Sequence, residues 1–142
     1  MVYRRQWAWM QSFQITKGGK LYLERLRILQ TPLFSIYIHR IHIPDLDEFP
    51  HDHPWWFASL VLSGGYTENI YFAQDNLANT RVRIRGRWSL RSMPRHRAHR
   101  ITAIKETLWT LVLTGKHHQS WSFWTPAGPL DWKSLGGDGP DP

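Results

Sequence analysis

Cysteine is absent from the 142 residues, and that absence removes disulfide scaffolds, thiol nucleophiles and every thiolate-bound metal centre. Long apolar runs are absent too, since no stretch approaches the ~18 residues that a membrane-spanning helix needs. No apolar segment follows the Arg4-Arg5 pair, so no targeting signal is visible, and the expectation is a soluble, cytoplasmic protein with no membrane partner. Gly (10) and Pro (9) follow no period, which excludes a collagen-like repeat. Acidic residues are missing from Asn76 through Lys105, a span that holds eight arginines and one lysine. What is present is a 42% hydrophobic composition, enough for one buried core in a chain of one-domain length. Nine tryptophans and a net charge of +7 are the two excesses.

The periodicity is that of strands. Leu21–Leu29 follows a Gly18-Gly19 turn signal, Phe34–Ile43 is aromatic and β-branched, and Trp56–Leu62 is nearly all apolar. Gly64-Gly65 reads as a turn before a further strand, Tyr66–Phe72. Arg81–Arg85 alternates strictly, and Arg100–Ile104, Leu108–Leu113 and Gln119–Trp124 complete eight or nine short strands. Such a series predicts an all-β sandwich or barrel. Only Tyr3–Phe13 is open to a helical reading. The tail beginning at Gly136 offers no apolar side chain to bury and is expected to be disordered.

Histidine carries the chemistry. In His51-Asp52-His53 the two imidazoles project from one face of an extended chain and can reach a single ion. Asp52 alternates away from them. A second group, Pro94-Arg95-His96-Arg97-Ala98-His99, enters another strand. Glu68 lies just past the glycine pair, where it either turns inward as an acid/base group or stays exposed. Trp55 and Phe57 share the parity of His51 and His53, so with Tyr66 they are candidate pocket walls while Trp56 faces the other way, an assignment that a bulge at this point would reverse. Most of the nine tryptophans, Trp109 and Trp121 among them, read as core. His39 and His42 have opposite parity, so at most one of them faces inward. His117 and His118 read as turn residues.

His51-x-His53, followed after an apolar strand by Gly65, resembles the first motif of the cupin superfamily, and Pro94 with His99 five residues later resembles the second. The resemblance spans Ile36–Trp124. It implies a single jelly-roll β-barrel over residues 21–133, with an N-terminal extension (1–20) and a flexible tail (134–142). It also implies a divalent metal, Fe(II) in preference to Ni, Zn or Mn, held by His51, His53 and His99. Departures are plain: Phe57 and Ala58 stand where the superfamily places a glutamate ligand, His96 where it has glycine, and Ala103 where it has asparagine. A three-histidine site is what carries over, similar to that of thiol dioxygenases, with open positions for substrate or O2. His96 is then a stand-in for the carboxylate or a proton shuttle, or simply a surface residue.

The leading expectation is a metal-dependent oxygenase acting on a small molecule. The alternatives are a metal-independent sugar-nucleotide epimerase or isomerase, with His53 as base and arginines holding a diphosphate, and a non-catalytic cupin module. The arginines also admit nucleic acid as a partner. The favoured reading is that Arg81, Arg83 and Arg85 form the wet face of a strand whose Val82 and Ile84 are buried. A homodimer is a further expectation from the resemblance.

Overall fold

The computed structural model describes residues 8–135. Nine strands follow one another: β1 (Ala8–Lys17), β2 (Lys20–Gln30), β3 (Ser35–Ile41), β4 (Phe57–Tyr71), β5 (Thr80–Arg85), β6 (Leu90–Met93), β7 (Ala98–Thr114), β8 (Ser122–Thr125) and β9 (Gly128–Asp131). A short 3-10 turn, Trp132–Leu135, comes last. Seven strands make one antiparallel sheet in the order β1-β2-β3-β7-β4-β5, with β6 paired to the first residues of β4; β8 and β9 form a separate ribbon. Strand pairing runs from β1 to β5 and closes no ring among the described residues.

The helical reading of Tyr3–Phe13 is corrected over its described part. Ala8–Phe13 belongs to β1, which pairs with β2 from Ala8↔Gln30 to Lys17↔Lys20. Gly18 (φ +56°) and Gly19 (φ +73°) form the two-residue turn between them, whose paired left-handed conformations match the twist of a hairpin. The expected tail from Gly136 lies outside the described residues.

Gly64-Gly65 is not a turn. Phe57–Tyr71 is one continuous strand whose register slips around Ser63 and Gly65, and the two strands expected near Arg100 and Leu108 are likewise one strand, β7. The slip is a local bulge. Gly64 has φ +78°, and a Cβ there would stand 2.7 Å from the Thr107 carbonyl oxygen, so only glycine lets the two backbones approach. Glu106, opposite, also has a positive φ (+61°).

The inner face of the sheet carries the core in two groups. Leu23, Ile41, Val61, Tyr66, Ile101 and Leu108 form one; Tyr37, Trp55, Phe57, Ile70, Met93 and Val112 form the other. At roughly 1.5–3 kcal/mol for each large side chain buried, these groups hold the sheet around the space they enclose. Strand β5 departs from expectation. Its Val82 and Ile84 are 61% and 84% exposed, so both of its faces are wet, because among the described residues no element packs on this edge strand. Trp109 is also outside the core, half-exposed beneath the Arg40 guanidinium.

Candidate metal centre

The segment between β3 and β4 is irregular but firmly pinned. Asp45 sits buried, its backbone N–H donating to the Ile101 carbonyl (3.0 Å) and its Oδ2 accepting from the Ile101 N–H (2.7 Å). The Tyr22 hydroxyl donates to Asp45 Oδ1, and burial followed by the nearby Asp45 charge pushes that phenol well above its usual range. Further along, His51 exchanges two 3.0 Å backbone hydrogen bonds with His99 and also bridges to Phe123 of β8. The Asp52 N–H donates to the Ser122 carbonyl, while its carboxylate accepts from the Ser122 N–H (2.7 Å) and the Trp124 indole (3.0 Å). Asp52 is thus a brace for β8, turned away from the two imidazoles that flank it in sequence. Burial raises its pKa, against the lowering effect of those hydrogen bonds.

These backbone contacts bring the two histidine motifs together. The imidazole centroids of His51, His53 and His99 lie 5.0, 4.9 and 5.0 Å apart, a nearly equilateral triangle. One ring nitrogen from each lies within 4.8 Å of the other two. Phe57 packs edge-on to His53 (4.7 Å) and near His99 (5.9 Å), and Trp121 and Phe123 flank His51. Burial lowers the pKa of all three imidazoles; for His53 their mutual repulsion adds to it, and for His99 the Arg91 guanidinium does. All three are therefore neutral at physiological pH, the form in which imidazole offers a lone pair to a metal.

Glu68 is fully buried behind this triangle. Its Oε2 accepts from His99 Nδ1 (2.8 Å) and Arg91 Nη2 (2.7 Å), and its Oε1 from Arg85 Nε (2.8 Å). Arg91 Nη2 also lies 3.0 Å from His99 Nδ1. A carboxylate is the stronger claimant for the Nδ1 proton, so Nδ1 carries it and Nε2 is left with the lone pair. His53 has no such orienting partner, and its Nδ1 is buried without a hydrogen bond. The donor set thus suits a divalent transition ion: three neutral imidazoles, one oriented by a carboxylate, and no thiolate.

The triangle opens on a cavity of about 400 Å³. Trp55, Phe57 and Tyr66 line it together with the three histidines, while Trp56 is turned outward and 45% exposed. Glu68 does not reach the cavity surface; its contacts are to His99, Arg91 and Arg85. His96 is exposed in the turn between β6 and β7 and does not line the cavity, so its position supports neither a ligand nor a shuttle role. His39 lines the cavity and accepts from Arg25 Nε (3.0 Å); His42 pairs with Glu24 outside it. Three participants had no readable signal in sequence: Arg91, hidden in a basic stretch; Asp45, which pins the loop; and Trp132, stacked on Trp121 with ring centroids 5.5 Å apart.

No family model and no curated protein matches the chain by sequence. Solved structures do match by shape. Fe(II)-HppE with the alternative substrate (S)-1-HPP superposes with a TM-score of 0.59 at 13% identity, covering 73% of this chain and 55% of that one. A mannose-6-phosphate isomerase-like protein from Ralstonia eutropha JMP134 gives 0.53 at 17% identity, covering 63% and 81%. The polyketide cyclase RemF from Streptomyces resistomycificus gives 0.52 at 17% identity, covering 70% and 68%. The chain thus spans little more than half the length of the HppE structure it matches. At these identities the likeness shows the fold, that of cupin-fold enzymes.

Proposed function

We propose that this protein is a metal-dependent enzyme acting on a small molecule, with a divalent ion, Fe(II) by preference, held by His51, His53 and His99. The observation that carries the reading is the triangle of three neutral, desolvated imidazoles facing a cavity of substrate size. The Fe(II) of the structural neighbour HppE supports the choice of metal. Such an ion, with positions that the protein leaves open, supplies O2 activation and one-electron chemistry. Oxygenation of the bound molecule is the reaction class this favours.

The chain's own contribution is positional. Glu68 holds the His99 proton on Nδ1 and fixes the ring plane. The aromatic walls at Trp55, Phe57, Trp121 and Phe123 exclude bulk water and restrain the imidazole rotamers. A second reading draws on the same Glu68–His99 pair. A carboxylate-oriented imidazole is also a general base, so a metal-independent isomerase remains the rival, with His99 in place of His53.

Elemental analysis of untagged protein separates the two readings. Close to one equivalent of transition metal, lost in His51→Ala and in His99→Ala and kept in His96→Ala, is the expected result. Protein that neither contains a transition metal nor takes one up on anaerobic reconstitution overturns the metalloenzyme reading and leaves the isomerase.

A further inference from the structure

Strand β6 carries one reversed pair. Leu90 is 70% exposed and Arg91, its neighbour, is buried on the cavity wall, whereas Ser92 is exposed and Met93 buried as their residue types favour. Pairing with β4 (Leu60↔Leu90, Ser59↔Arg91) fixes the register that puts the core residue Met93 inside, and Arg91 comes inside with it.

Only part of the Arg91 fork is used. Nε donates to the Tyr66 hydroxyl (3.1 Å) and Nη2 to Glu68, but the contact of Nη1 is to the Met93 thioether at 3.8 Å. A thioether is a weak acceptor for a guanidinium. Charge points the same way. Glu68 carries one negative charge shared between two guanidinia, the buried Arg91 and the partly exposed Arg85. Arg25 also lines the cavity from β2, its Nε donating to His39. The two carboxylates on the lining are engaged elsewhere, Asp47 with Lys17 and Asp52 with Ser122 and Trp124. A buried guanidinium that shares its one carboxylate is only partly compensated, and an anion at its free edge relieves that cost.

Polar residues continue from Arg91 along the inner face. Ser59 is its register partner on β4, and in the neighbouring row Thr110, His39 and Arg25 are successive partners across β7, β3 and β2. Ser59 and Thr110 are 6% and 4% exposed, in positions where aliphatic side chains would pack more favourably.

Resting on the cavity as the substrate site, we infer that the substrate is a small hydroxylated organic acid whose oxyanion, carboxylate or phosphoryl, docks on Nη1 of Arg91 beside the histidine triangle. The hydroxyls of its chain lie along Ser59, Thr110 and His39.

The test is calorimetric titration of chelator-stripped protein and of protein reconstituted anaerobically with Fe(II). The probes are lactate, inorganic phosphate and the neutral lactamide. Lactate or phosphate binds the stripped protein at least about ten-fold more tightly than lactamide, as a charge-assisted hydrogen bond requires. Preference for lactate identifies a carboxylate substrate, and preference for phosphate a phosphoryl one. Arg91→Lys, which keeps the charge but loses the fork, weakens the oxyanion by about ten-fold and leaves lactamide unchanged. If that variant does not fold by circular dichroism, the wild-type contrast and its loss with added salt decide. Equal affinity for lactate and lactamide, or no binding of any probe, overturns the inference. So does an oxyanion that binds only the Fe(II) form, because the ion and not Arg91 then holds it. Protein that takes up no metal yet binds lactate through Arg91 keeps this inference while the metalloenzyme reading fails.

Discussion

Replacing Glu68 by Gln tests the buried network most directly. The substitution preserves volume and can keep one acceptor oxygen, but it removes the only carboxylate that reaches Arg91 and Arg85 among the described residues. Arg91 is left 6% exposed at its side chain with no countercharge, and Arg85, at 17%, keeps some access to water. Removing one partner of a buried pair costs about 3–5 kcal/mol. The retained amide oxygen and the partial exposure of Arg85 place Glu68→Gln near the lower end, about 3 kcal/mol. For a domain of this size that is a fall in Tm on the order of 10 °C. The loss of orientation at His99 adds a second readout, a ~10–100-fold fall in metal affinity. Urea denaturation of metal-free protein measures the first and competition with a chelator the second. A metal-free Glu68→Gln within about 1 kcal/mol of wild type, with unchanged metal affinity, refutes the reasoning.

Two further predictions follow from the same structure. Four histidines, the half-buried His39, His51 and His53 and the buried His99, have pKa values below their ordinary 6.5, with desolvation the leading cause for each. The unfolded chain then binds more protons than the folded one below about pH 6.5, so metal-free stability falls as pH drops through that value, at up to ~1.4 kcal/mol per pH unit for each histidine. Denaturation midpoints that stay flat from pH 7 to 5 would contradict it. Gly64→Ala puts a Cβ against the Thr107 carbonyl oxygen at 2.7 Å in a left-handed backbone, at a cost of about 2 kcal/mol or more, and a thermal shift of less than 2 °C would speak against strain at the bulge.

Much of the histidine cluster was legible because its members follow a local rule. Spacing by two residues places His51 and His53 on one face, and the Pro94–His99 group enters a strand, so the triangle could be anticipated from chain geometry. The same parity separates Trp55 and Phe57 on the cavity wall from Trp56 outside it. Arg91 was not legible, because its burial reverses the hydrophobic pattern of its own strand and depends on Glu68, twenty-three residues away. Nor was the continuity of β4 and β7. Glycine pairs signal turns and bulges alike, and which one forms here is decided by the facing backbone at Thr107. The exposure of Val82 and Ile84 likewise follows from the absence of a covering layer on β5 among the described residues, which alternation along a strand does not encode.

The backbone pairing of His51 with His99 has a consequence for how such a site can change. The two peptide segments are held together by their own N–H and C=O groups, through bonds that any non-proline residue at either position can make. The scaffold therefore places two Cα positions side by side whatever side chains they carry. Substitution at residue 51 alters the occupant of the site without dismantling its frame, so the same chassis can be refitted for a different ion, or for none, by a change of one codon.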